Sequence, residues 1–303
     1  GNYGITEFLQ DDIYKGRPGQ QRSYDAQGRK FTETVNTWEN MIVRDQGEDI
    51  IFPYLKRSDQ YLYEGEPTAR RTAAEYTYDE TGNITGTYEL GEVDFNTRSD
   101  LNPEDNRRGE TQYISNESAW LWGIPRQTLV KDYEGNVLRE IRFSYDGQAW
   151  GGAPVKGLLT EKEDISNDVE NPVTKYEYDD YGNLKKTVDP MENATAITYD
   201  FTYHMFPVKT VNALGHEVTN EYYGVDGVPL NAGDGLRGLW GQTKSTTDPN
   251  NQTAYKIYDE FGRVVKTISP VDSVEYPSSE VEYNLDILPI RVIKKARIES
   301  GEE

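Results

Sequence analysis

Apolar and polar positions alternate through Lys175 to Tyr178, a polar turn follows, and an apolar-ended run, Leu184 to Val188, comes after it; the pattern predicts a β-hairpin. Tyr176 and Tyr178 flank Glu177, so at the two-residue period of a strand both rings fall on one face. Leu184 to Val188 forms the returning arm. Between the arms lie Asp179, Asp180, Gly182 and Asn183. Gly and Asn tolerate positive φ, and Asp bonds its own backbone, so this group supplies the reversal. Pro190 has no backbone donor and ends the second arm.

The same order of residues recurs. Tyr24 and Asp25 precede Gly28, Tyr78 and Asp79 precede Gly82, and Tyr258 and Asp259 precede Gly262. Asp132 to Leu138 keeps the turn without the Tyr-Asp order, and Tyr-Asp pairs also stand at Tyr145, Asp146 and at Tyr199, Asp200. Their spacing is irregular, which argues against a solenoid of fixed period and for hairpins separated by excursions of variable length.

Other segments fit between these hairpins. Gly1 to Arg22 is polar and Gly-rich and reads as an irregular lead-in anchored by Ile5, Phe8 and Leu9. Lys30 to Val43 is rich in β-branched residues and Ile50 to Leu55 is a short apolar run broken by Pro53; both read as strands. Residues 91–110 are turn-rich and apolar-poor, a linker with one helical turn capped by Asn102 ahead of Pro103. Two regions follow, 1–109 and 110–303. Within the second, Asn212 to Tyr223 repeats the hairpin form and Gly224 to Gly241 is a long Gly-rich loop, a class often functional. Four β-branched residues favour strand over helix across Ile290 to Ile298.

The motif segments carry a family resemblance. YDDYGNL and YDEFGRVVKTI resemble the tyrosine-aspartate (YD) repeats of Rhs proteins, bacterial wall-associated proteins, teneurins and the B and C components of Tc insecticidal toxin complexes. Residues 120–147, 149–163, 211–223 and 246–264 are most similar in style to the Tc B component; residues 1 to about 110 match only in repeat style. The resemblance implies an all-β chain of successive antiparallel hairpins coiling into part of a curved shell or open barrel-like sheet, with Tyr rings stacked between rows. It implies partners in other parts of the same shell or a toxin-complex subunit, a polypeptide cargo, and a secreted or cell-surface bacterial location. Gly1, with no initiator Met or signal peptide before it, reads as the start of a fragment of such a protein. The self-cleaving end of the C components is not matched, because Asp189-Pro190 and Asp248-Pro249 are both followed by more repeats.

Composition agrees. Of 303 residues only 35 % are hydrophobic and 23 are Tyr, too little aliphatic material for a large dry core. Tyr suits a thin sheet, burying its ring while the hydroxyl finds water or a partner. The formal charge of −21 repels phosphate backbones and anionic lipid, which disfavours nucleic acid and membrane surfaces. No apolar run approaches the ~20 residues of a membrane span. Cysteine is absent, excluding disulfides and thiolate chemistry.

The search for chemistry returns little, and no catalysis is expected. His204, in a strand-like run, and His216, in a turn, stand outside any metal-binding spacing, and no nucleophile elbow or phosphate loop is present. Asp179, Asp180 and Asn183, or Asp248, Asn250 and Asn251, offer oxygens to calcium, although the plainer reading is an Asx-stabilised turn. Trp120, Trp122, Trp150 and Trp240 form a candidate ligand platform, weighed against a packing role that seals one hairpin row on the next. The competing function is therefore a surface adhesin or carbohydrate-binding module; an acid-pair hydrolase ranks last. Circular dichroism should show strand and little helix, and helix above about a quarter of the chain would overturn the all-β reading.

Overall fold

The computed structural model describes residues 1–45, 48–166, 170–233, 235–285 and 291–297. Its described residues hold twenty strands, two single-turn 3-10 segments and no α-helix. Two compact units divide the chain, Gly1–Val173 and Thr174–Glu303. The division falls between Val173 and Thr174.

In the first unit the strands are β1 (Tyr3–Phe8), β2 (Pro18–Tyr24), β3 (Lys30–Asp45), β4 (Glu48–Leu62), β5 (Arg70–Tyr78), β6 (Ile84–Glu92), β7 (Arg107–Asn116), β8 (Leu121–Lys131), β9 (Val137–Tyr145) and β10 (Leu159–Ile165). Each pairs antiparallel with the next in sequence. The expected irregular lead-in is instead hairpin β1–β2, where Tyr3 faces Tyr24 and their rings stack at 4.9 Å. Pro53 does not break β4: it sits opposite Asn40 within a ladder that runs on to Leu62. Residues 103–105 do form a helical turn behind Asn102, but without a side-chain cap.

The interior of this unit is polar. Asp59 and Arg71, on adjacent strands, are both fully buried. Arg57 Nη2 lies 3.0 Å and Arg71 Nη2 2.7 Å from Asp59 Oδ1, while Arg98 pairs with its second oxygen from the connection between β6 and β7. Burial alone would raise the Asp59 pKa; hydrogen bonds from the three guanidiniums outweigh that and hold it below the ordinary carboxylate value. Arg57 also meets Glu75, its direct cross-strand partner, at 2.6 Å.

The second unit runs β11 (Val173–Tyr178), β12 (Leu184–Val188), β13 (Ala194–Tyr199), β14 (Pro207–Val211), β15 (Glu217–Tyr222), β16 (Thr243–Thr247), β17 (Thr253–Tyr258), β18 (Val264–Ile268), β19 (Ser279–Asn284) and β20 (Arg291–Ala296), again each antiparallel to the next. The last segment is strand where it is described; Ile290 and Ile298 lie outside the described residues. Its small apolar core joins Leu236, from the long Gly-rich loop, to Ile257 and Ile268 on β17 and β18. The loop is tied down by backbone: Tyr258 N donates to Arg237 O at 3.0 Å, and the fully buried Tyr223 donates its hydroxyl to Lys256 O at 3.0 Å.

Turn glycines do what the pattern asks of them. Gly82, Gly182 and Gly262 have φ of 88°, 87° and 79°. A Cβ on Gly182 meets nothing within 4 Å, whereas one on Gly82 would stand 2.9 Å from the Phe52 ring. Gly182→Val should therefore cost about 1 to 3 kcal/mol from backbone strain alone, and Gly82→Val more. Urea unfolding of the two variants checks this, and equal losses would remove the Phe52 contact as a factor.

Candidate functional site

The Tyr-Asp pairs at 78/79, 145/146, 199/200 and 258/259 divide two separate jobs between their members. The aspartate closes the chain that follows it. Asp179 N donates to Asn183 O at 2.9 Å and Gly182 N to Asp179 O at 3.1 Å, which leaves the amides of residues 181 and 183 without carbonyl partners in the turn. The Asp179 carboxylate takes both, from Tyr181 N at 3.0 Å and Asn183 N at 2.9 Å, and Asn183 Nδ2 besides. Asp25, Asp79 and Asp259 repeat this geometry. So do Asp189, Asp248 and Asn212, which no Tyr precedes.

Where the connection is longer, the carboxylate reaches further. Asp146, itself at φ 56°, accepts from the amides of Val155, Lys156, Gly157 and Leu158 at 2.6 to 3.0 Å. The buried Asp200 accepts from Tyr203 N, Met205 N and Phe206 N at 2.5 to 2.9 Å.

The tyrosine locks the strand end sideways. Its hydroxyl donates to a main-chain carbonyl on the adjoining strand: Tyr78 to Leu55, Tyr145 to Pro125, Tyr199 to Leu184 and Tyr258 to Thr243, at 2.6 to 3.2 Å. Tyr222, with no Asp after it, does the same to Pro207 at 3.1 Å. These bonds carry a load the expected ring stacking does not, although Tyr78 also tilts against Tyr54 and Tyr258 meets Tyr223 edge-on.

Trp120, Trp122 and Trp150 lie in the first unit and Trp240 in the second. Trp120 follows a 3-10 turn at φ 56° and is 86 % exposed. Trp122 is next but one, ahead of Gly123, where a Cβ would collide with Asn83. Trp150 lies between the guanidiniums of Arg126 and Arg142, 4.8 and 4.5 Å from its ring, and donates Nε1 to Arg126 O at 3.0 Å. Among the described residues no ring contact joins these three. Trp240, in the second unit, packs edge-on against Tyr203 at 5.2 Å and Phe206 at 5.3 Å.

That contact belongs to a row of rings along one end of the second unit. The meander brings the connections after β11, β13, β15 and β17 to the same end. Tyr181 stacks on His204 at 4.1 Å, Phe201 meets His204 edge-on at 6.3 Å, and Gln242 Nε2 ties the long loop to Gly262 O at 2.8 Å. His204 thus sits in a turn at φ 57°, not in a strand, and Asn183 Nδ2 donates to its carbonyl. Phe201 is 85 % exposed and Phe261 70 % exposed, yet Phe201 is not loose. Asp226, at φ 47° in the long loop, accepts from Phe201 N and Thr202 N at 3.1 Å each and from Thr202 Oγ1 at 2.8 Å.

The oxygens of Asp179 and Asp248 face N–H donors, and among the described residues no group of three or more acidic or histidine side chains is placed to hold a metal ion. A cleft of about 390 Å³ lies beside the row, lined by Arg237, Leu239, Tyr258, Asp259 and Glu260. No described helix is long and apolar enough to cross a membrane.

Comparison with known proteins gives a fold and no family. No protein-family model matches the sequence, and no curated protein sequence matches it significantly. Among solved structures, the chain is similar to the TcdB2–TccC3 complex (TM-score 0.53, 12 % identity, 87 % of this chain). It is also similar to the Photorhabdus luminescens Tc holotoxin pore (TM-score 0.52, 12 % identity, 96 % of this chain). It spans 17 % of the length of each of those chains.

The turn carboxylates set an acid dependence. Burial alone would raise the Asp79 and Asp179 pKa values; hydrogen bonds from the Asn side chain and turn amides outweigh it and hold them low. An unfolded aspartate titrates near 3.9. A value held lower in the folded state gives stability that is complete above that pH and is lost as pH falls through the folded-state value. The melting temperature should therefore be flat from pH 7 to about 5 and fall below about 4. Asp79→Asn/Asp179→Asn should keep the turns, as Asn212 does, and melt with a shallower acid limb. Asp79→Ala/Asp179→Ala should lower the melting temperature at pH 7. An unchanged acid limb in the Asn variant would remove these two carboxylates as its source.

Proposed function

We propose that this chain is a non-enzymatic wall segment of a toxin-complex-type shell, which encloses or presents a polypeptide. The observation that carries the reading is the fold: one strand-thick meander after another, matched over most of the chain to Tc complex structures. The YD repeats supply its construction, with Tyr joining neighbouring strands and Asp sealing each connection. Its partners are further wall of the same kind or a toxin-complex subunit, together with the polypeptide cargo, in a secreted or cell-surface setting. The reading asks for no cofactor and no catalysis.

A wall for a polypeptide should hold an unfolded chain. In limited proteolysis, a permanently unfolded polypeptide mixed with the purified protein should survive longer than beside an equal mass of an inert acidic protein. Equal survival would overturn the reading and leave sugar recognition as the better one. A glycan array with single replacements of Trp120, Trp122, Trp150 and Trp240 then reads that alternative.

A further inference from the structure

We infer that the ring-bearing end of the second unit is a docking surface for a positively charged, apolar-rich polypeptide in extended form. This rests on the wall reading and names the part of the wall that makes contact.

Exposure comes first. Tyr181 and Phe261 occupy the tips of Asp-closed turns at 65 % and 70 % exposure, and Phe201 stands at 85 %. Arg263 stands 5.0 Å from the Phe261 ring and Tyr181 stacks on His204, yet both rings keep most of their surface open, so these turn tips add exposed apolar area. Preorganisation comes second. The backbone under Phe201 is fixed from both sides by Asp200 and Asp226, and Tyr203 beside it is held against Trp240. A large ring already ordered in the free protein loses little conformational entropy on binding, which is the property of interface anchors.

Charge selects the occupant. Two tip rings have an exposed carboxylate immediately before them, Asp180 before Tyr181 and Glu260 before Phe261, and neither makes a hydrogen bond or ion pair in the structure. A lysine or arginine can lay its aliphatic stem along such a ring and place its head on the adjacent carboxylate. A second copy of this chain, at −21, would instead bring carboxylates against carboxylates. Four connections side by side offer a row, not a pocket, and a row fits an extended chain.

The test uses the full chain and two probes, reduced and carboxamidomethylated ribonuclease A as a basic unfolded polypeptide and α-lactalbumin treated alike as an acidic one. Fluorescence anisotropy at low and high salt should show binding of the basic probe, weakening with salt, and little of the acidic one. Tyr181→Ser/Phe201→Ser/Phe261→Ser should weaken binding by about tenfold or more, the scale of losing several anchors. Asp180→Asn/Glu260→Gln, which disturbs no packing, should flatten the salt dependence. Met191→Ser/Leu214→Ser, at the opposite end of the same unit, should change nothing. Wild type binding the basic probe with the Ser variant unchanged would overturn the inference and leave the wall reading standing. Binding of neither probe would overturn both. Equal binding of both probes would overturn the charge selection, and self-association of the wild type abolished in the Ser variant would make the row a contact between copies and overturn the inference.

Discussion

A turn leaves backbone amides with no carbonyl to meet, and at most of its short hairpin turns this fold answers that deficit with one Asp or Asn side chain. The solution is local, since the aspartate sits at the first residue of the segment it closes and bonds donors two to four residues on. It is also elastic, because the same group reaches an amide four residues after Asp179 and twelve after Asp146. Everything else in the meander depends on it. Strand register follows from the turn, and the Tyr ahead of the Asp can reach the adjoining strand only when the turn fixes where its own strand stops.

Stability is correspondingly spread out. The first unit buries charges where a globular domain would bury leucines, and satisfies them across strands with Arg57, Arg71 and Arg98 around Asp59. Breaking such a network from one side strands the remaining charge, so it specifies how the β6–β7 connection lies on the sheet more than it adds net stability. Among the described residues of the second unit, a buried apolar cluster forms where Leu236 folds back onto β17 and β18. The loop that looked like a functional insertion is the source of the core.

The hairpins were legible because Tyr176 and Tyr178 alternate with Glu177 and because Gly182 follows Asp179 at a fixed distance. Local chemistry of that kind survives in a single sequence. Hairpin β1–β2 was not legible: its pairing rests on Tyr3 meeting Tyr24, a contact between two segments that each look irregular. Ile50 to Leu55 is strand as read, and Pro53 stays in it because a long partner strand holds it in line. The tryptophans drew attention by rarity, yet the organised exposed rings are Tyr181, Phe201 and Phe261. The signal for them was present in the dipeptides Asp180-Tyr181, Asp200-Phe201 and Glu260-Phe261, an acidic residue followed by a ring at each connection.

Because the described strands within each unit pair with their sequence neighbours, the response to force has a direction. Pulled across the strands from one end, a unit yields one ladder at a time, each hairpin leaving without disturbing those behind it. Pulled along the strands, several ladders must shear together. A meander built this way resists tension along its strands and opens like a zip from its outermost strand.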